Sequence, residues 1–158
     1  MKFILVYDSL YGNTEKIARS IGDVLLEQGE GILVRVVDFK MDLLAGVDLL
    51  IVGSPTQKFK ATAAMKAFLK AIPANGLKGV RVAAFDTRLT QSNIDGTPVL
   101  PFFVKFFGYA AEPMAKELQK KGGVLVRSPE GFYVEGTEGP LVQGELERAA
   151  TWAGKLFA

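Results

Sequence analysis

The chain has 158 residues, enough for one substantial core, and its 49% hydrophobic and 23% charged residues are the balance of an ordinary globular domain. It has no cysteine and no histidine, which excludes disulfides, thiolate nucleophiles, cysteine-held zinc or iron–sulfur clusters, histidine metal sites and His-based triads, so any reaction chemistry is expected from a bound cofactor. A net charge of +2, with Lys and Arg scattered among acids, carries no nucleic-acid footprint, and no apolar run nears the roughly 18 residues of a membrane span.

Met1 to Tyr7 leads at once into a strand and turn without a small-residue cleavage site, so no signal peptide and a cytoplasmic location are expected. Phe3 to Tyr7 is a continuous apolar run, the mark of a strand buried on both faces. From Thr14, Ile17, Ile21, Val24 and Leu25 follow helical spacing, and Gly29 and Gly31 end that helix. Ile32 to Val37 and Val47 to Val52 read as the second and third strands. Met65, Phe68, Leu69 and Ile72 mark a helix face stopped by Pro73, and Val80 to Phe85 is the fourth strand. A helix through Met114, Ala115 and Leu118 stops at Gly122-Gly123. Val124 to Val126 and Phe132 to Val134 then flank a turn at Ser128-Pro129-Glu130-Gly131. A last helix runs from Gly144 to about Leu156, with Trp152 in the core.

Strands alternating with helices imply parallel pairing through right-handed crossovers. The expectation is one α/β domain over residues 1–158: a doubly wound five-stranded parallel sheet of order 2-1-3-4-5, with helices on both faces. Ligands of such sheets bind off the carboxyl ends of the strands at the switch point, here beside the first strand. The loop there reads Ser9-Leu10-Tyr11-Gly12-Asn13-Thr14. Two hydroxyls, an amide and a glycine immediately before a helix N-terminus make an anion site without any lysine. The same residues also suit a plain cap and turn, and the motif alone leaves both readings open. No G-x-x-x-x-G-K-[ST] run and no G-x-G-x-x-G follows the first strand, which weakens NTPase and dinucleotide readings.

Ser9-x-Tyr11-Gly12-x-Thr14 after a hydrophobic strand resembles the FMN-phosphate loop of the flavodoxin family. Val47 through Thr56 is similar to that family's third strand and second flavin loop, and Val82 to Leu89 falls where its third loop begins. The resemblance implies FMN as cofactor, with Ser9, Leu10, Tyr11, Gly12, Asn13 and Thr14 around the phosphate. Pro55, Thr56, Gln57, Lys58 and Phe59 would face the ribityl chain and ring, and Thr87, Arg88 and Leu89 the pyrimidine edge. Asp8 is expected to turn away from the phosphate or cap locally.

Gln57 and Lys58 replace the family's stacking Trp and flipping Gly, so Lys58 is expected to resist a peptide flip and Phe59 becomes a candidate ring cover. Family carriers are usually acidic. Cationic Lys58, Lys60 and Arg88 in the flavin loops imply a raised flavin potential here. The function implied is electron transfer with redox partner proteins or small acceptors such as quinones. The alternatives are a flavodoxin-like NAD(P)H:quinone oxidoreductase and, from another class, a flavin-free interaction domain. A response-regulator receiver is rejected, because Gly53-Ser54 stands where the phosphoacceptor Asp would be. No side chain is singled out as acid, base, nucleophile or metal ligand. The aromatic segment over residues 98–109, with Phe102, Phe103, Phe106 and Phe107, reads as core, as a homodimer or partner face, or as a wall of a hydrophobic pocket.

Overall fold

The computed structural model describes residues 1–90 and 109–157, so the phenylalanine cluster singled out above lies outside the described residues. In chain order the elements are β1 (Lys2–Tyr7), α1 (Asn13–Gln28), β2 (Glu30–Arg35), β3 (Leu49–Pro55), α2 (Ala63–Ala71), β4 (Arg81–Leu89), α3 (Ala111–Lys120), β5 (Val124–Leu125), β6 (Glu130–Val134) and α4 (Glu145–Ala153). The sheet is parallel, in the order β2-β1-β3-β4-β5, with β6 also paired to β4. This is the doubly wound arrangement that the alternation of strands and helices implies.

Strand alternation sorts the core into two layers. Phe3, Leu5, Leu49, Ile51, Ala83 and Phe85 face α1 and α4, where Ile17, Ile21, Leu25 and Trp152 meet them. Ile4, Val6, Leu50, Val52, Val82 and Ala84 face α2 and α3, meeting Met65, Phe68, Leu69, Met114 and Leu118. Trp152 stacks edge-on against Phe85 and Phe132, at 6.2 Å between ring centroids in both pairs, as its core assignment requires.

Several element boundaries differ from the sequence pattern, and three of the differences bear on the site or the sheet edge. β2 stops at Arg35, and Val36 to Asp38 turn in a short 3₁₀ segment. β4 continues past Phe85 through the polar Asp86-Thr87-Arg88, because β6 pairs with Phe85 to Leu89 and supplies the backbone partners that polar residues do not advertise. The fifth strand position is split: β5 pairs with Arg81 and Val82, and β6 resumes opposite Phe85 on the same edge, taking in Glu130 and Gly131, which the sequence pattern placed in the turn. Residues 126–129 between them stand opposite Ala83 and Ala84 alone. The Val126 N–H still bonds the Val82 carbonyl at 3.1 Å, and the chain bends out of the sheet at Arg127, before Pro129, which has no N–H for the ladder.

Glu145 fastens β6 to α4. Its carboxylate accepts the Tyr133 N–H at 2.7 Å and the Arg148 guanidinium at 2.6 Å, and Arg148 also reaches Glu130 at 3.0 Å. Burial works against the Glu145 charge, but the Arg148 hydrogen bonds and the Tyr133 N–H outweigh it and hold the carboxyl below its ordinary value. A depressed carboxyl contributes stability above its unfolded pKa of about 4.5 and loses it as pH falls through the folded value. Acid unfolding should therefore steepen below about pH 4.5, and Glu145→Gln should flatten that limb of a stability-versus-pH series measured by urea melts.

Gly53 on β3 leaves room for the Phe85 ring opposite it, since a Cβ there would come within 2.1 Å of the ring. Gly53→Ala should lower stability by about 1–3 kcal/mol through overpacking, read as a reduced urea midpoint with unchanged slope. Phe85→Leu in the same chain should recover part of the loss.

Candidate cofactor site

The carboxyl ends of β1, β3 and β4 converge on a small open cleft of about 100 Å³. The loop after β1 lines it with Leu10, Tyr11, Asn13 and Thr14, the end of β3 with Pro55 and Thr56, and the end of β4 with Thr87, Arg88 and Leu89. Val134 and Thr137, which the sequence analysis missed, close it from β6 and the loop after it. The rule that ligands sit at carboxyl strand ends applies equally to the fifth strand position and was the one signal that pointed there. Ser9, Gly12, Gln57, Lys58 and Phe59 are candidates that do not line this cleft.

Ser9 and Gly12 shape the loop from within. The buried Ser9 Oγ accepts the N–H groups of Gly12 at 3.1 Å and Glu15 at 3.2 Å. Gly12 caps α1 with φ of 92°, a left-handed conformation that glycine adopts without strain. Its carbonyl accepts the Lys16 N–H at 3.1 Å, the first bond of the helix. Among the described residues, no acceptor meets the backbone N–H groups of Leu10, Tyr11, Asn13 or Thr14. These orphan donors lie at the positive end of a 16-residue helix. Thr14 Oγ1 sits 2.8 Å from Thr87 Oγ1, both side chains buried, so one hydroxyl hydrogen of the pair is left to donate elsewhere. The Asn13 amide donates to the Glu138 carbonyl at 3.1 Å and ties the loop to the segment after β6.

The neighbouring acids are each turned to a donor. Asp8 accepts the Ser9 N–H at 2.9 Å and the Thr62 hydroxyl at 2.6 Å, so it caps locally as expected. Glu15 accepts the Tyr7 hydroxyl at 3.0 Å and the Arg35 guanidinium at 2.7 Å. The Tyr7 hydrogen bond, helped by Arg19 and Arg35, holds the Glu15 carboxyl below its ordinary range. A set of neutral N–H and hydroxyl donors with its carboxylates engaged elsewhere fits a phosphate dianion.

Arg88 behaves differently from the sequence expectation. Its guanidinium forks onto Asp86 through two bonds of 2.7 Å, lies 3.7 Å from the Tyr109 ring centroid and crosses Gly131, where a Cβ would strike it. Asp86 is fully buried and also accepts the Ala111 N–H at 2.9 Å. Burial pushes the Asp86 carboxyl up while Arg88 and that N–H oppose it. Burial also disfavours the Arg88 charge, and the hydrogen bonds to Asp86 more than offset this, raising its pKa. The pair neutralises the cation expected to act on the flavin.

Gln57 to Lys60 form a two-residue hairpin closed by reciprocal bonds of 2.7 and 2.9 Å. Its central residues, Lys58 and Phe59, have φ of 47° and 72°. The twist of a tight hairpin demands positive φ at both of these positions. Phe59 lines a separate groove between α2 and α3 with Lys66, Leu69 and Met114. Among the described residues, no cluster of three or more potential metal ligands occurs and no helix is long and apolar enough to cross a membrane.

Comparison with known proteins agrees with this geometry. No curated protein sequence matches the chain. Among solved structures, an archaeal flavodoxin superposes with a TM-score of 0.76 at 21% identity, covering 99% of this chain and 96% of its own. Flavodoxin 1 of Bacillus cereus gives 0.77 at 18% identity, covering 99% and 97%. The rubredoxin oxygen:oxidoreductase of Desulfovibrio gigas gives 0.74 at 18% identity, with 98% of this chain matched to 35% of that larger one. These likenesses show the fold. The flavodoxin domain model matches residues 4–132, a span that includes all three cleft-forming strand ends, and the chain therefore belongs to the flavodoxin family, whose cofactor is FMN.

Proposed function

We propose that this chain holds FMN with its phosphate on the Ser9–Thr14 loop and passes electrons between redox partner proteins or small acceptors. The observation that carries the reading is the grouping, at one helix N-terminus, of the Thr14–Thr87 hydroxyl pair with four backbone N–H groups that meet no acceptor among the described residues. Bound FMN supplies the electron-transfer chemistry, which a chain without cysteine or histidine does not offer from its own side chains.

The protein's part is binding and orientation. Tyr11, Asn13 and Thr14 offer N–H donors, Gly12 holds the turn, and the Thr14–Thr87 pair offers one further hydrogen. Ser9 keeps two loop amides occupied and so sets which others face outward. The Thr56 N–H bonds to the Thr87 carbonyl at 2.9 Å, and the Ala110 N–H to Thr56 Oγ1 at 3.2 Å, so the chain after β3 is tied both to β4 and to the start of α3. With Arg88 paired to Asp86, the fixed charge beside the cleft is small. Lys58 and Lys60 are then the cations left in the presumed flavin loops.

The visible absorption spectrum of the purified protein, before and after adding FMN and removing the excess by gel filtration, tests the reading. Flavin bands that stay with the protein are expected. A colourless protein that retains no added FMN would sink it, and turnover of NAD(P)H with a quinone by the protein alone would replace the carrier with a reductase. Thr14→Val keeps the buried shape but removes a hydroxyl, and should weaken FMN binding about tenfold, or ~1.4 kcal/mol, with riboflavin affinity changed less than about twofold.

A further inference from the structure

Arg35 ends β2 opposite Tyr7 and reaches across the end of β1 to the cofactor loop. Its Nη1 donates to the Ser9 carbonyl at 2.9 Å and its Nη2 to Glu15 Oε1 at 2.7 Å, with the cation 5.4 Å from the Tyr7 ring centroid. One planar fork thus grips both ends of the loop, the carbonyl where it leaves the strand and a carboxylate on the first turn of α1. Arg35 is not among the residues lining the cleft, so it works from behind the loop.

The peptide after Ser9 transmits that grip. Among the described residues the only cis bond is Gly139-Pro140, so the Ser9–Leu10 peptide is trans, with its C=O and N–H pointing in opposite directions. Anchoring the Ser9 oxygen on Arg35 therefore turns the Leu10 N–H away from Arg35. Leu10 lines the cleft, and its N–H is one of the donors that meets no acceptor among the described residues. Glu15 is held in turn by the Tyr7 hydroxyl at 3.0 Å, so the fork has a fixed seat.

We propose that Arg35 is a positioning residue for phosphate recognition: by holding the Ser9 carbonyl and Glu15 together, it aims the Leu10 N–H into the cleft as a phosphate donor. The inference rests on the FMN reading for its natural ligand. It predicts a contribution that belongs to the phosphate and not to the ring, and that acts through orientation and not through the distant field of a cation.

The test measures dissociation constants of FMN and riboflavin for the wild-type protein and Arg35→Gln, at low salt and near 1 M salt, where the screening length falls to about 3 Å. Arg35→Gln should weaken FMN about tenfold or more and riboflavin less than about twofold, with the FMN loss persisting at high salt. Equal losses for both flavins, no loss for FMN, or a loss that disappears at high salt would each overturn the proposal while leaving FMN binding intact. Titration of the wild-type protein with inorganic phosphate, followed by amide NMR, supplies a readout independent of the variant's folding. The Leu10 resonance should move with phosphate, and a Leu10 amide that stays still overturns the proposal. A wild-type protein that retains neither flavin defeats the FMN reading, and the same phosphate titration of Arg35→Gln beside the wild-type protein then decides the role of Arg35: a Leu10 shift lost in the variant supports it and an unchanged one overturns it.

Discussion

The parallel pairing of β1 with β3, from Phe3 opposite Leu49 to Tyr7 opposite Gly53, sets the position of everything at the site. It continues one step further in the bond from the Asp8 N–H to the Gly53 carbonyl at 3.0 Å. β3 runs two residues further, to Pro55, and the chain leaves both strands in neighbouring loops. β1 departs toward α1 on one face and β3 toward α2 on the other, so the space between those loops is left open by the winding itself. Burial of β1 and β3 in both hydrophobic layers makes that register hard to shift, because a one-residue slip would send side chains packed in one layer, such as Leu5 and Ile51, into the other.

Electrostatics around the cleft follow one plan. An anion is recognised by backbone N–H groups and hydroxyls, and each nearby carboxylate is engaged by its own donor: Asp8 by Thr62 and the Ser9 N–H, Glu15 by Tyr7 and Arg35, Asp86 by Arg88 and the Ala111 N–H. Two of these bonds also have structural work. Thr62 both donates to Asp8 and caps α2, so the loop after β1 is joined to the helix after β3. The Asp86–Arg88 pair ties β4 to the first residue of α3 and lies across β6 at Gly131. Charge placement and packing of the cleft walls are thus the same set of contacts.

The Gln57–Lys60 hairpin is where local preference and tertiary demand disagree. Two non-glycine residues at positive φ cost on the order of 1–3 kcal/mol each, and such strain persists only where surrounding bonds over-determine it. Here the reciprocal Gln57–Lys60 bonds close the turn, and Phe59 is carried away from the cleft into the groove beside Met114 and Leu69.

The sequence by itself determined the alternation of strands and helices, the two-faced burial of β1 and β3, the switch-point loop and its glycine. These rest on periodicity and local chain chemistry, which act over a few residues and leave a direct trace in residue order. Of the residues named from the loops, Leu10, Tyr11, Asn13, Thr14, Pro55, Thr56, Thr87, Arg88 and Leu89 come together in the cleft for that reason. Only the tertiary structure decided the rest. It extended β4 through Asp86-Thr87-Arg88 by pairing it with β6, split the fifth strand position between Leu125 and Glu130, and brought Val134 and Thr137 to the cleft. It also cancelled the Arg88 charge against Asp86 and laid Arg35 behind the Ser9–Leu10 peptide. Each of these depends on a partner distant along the chain or on the direction of a side chain out of the sheet, and neither is written in the order of neighbouring residues.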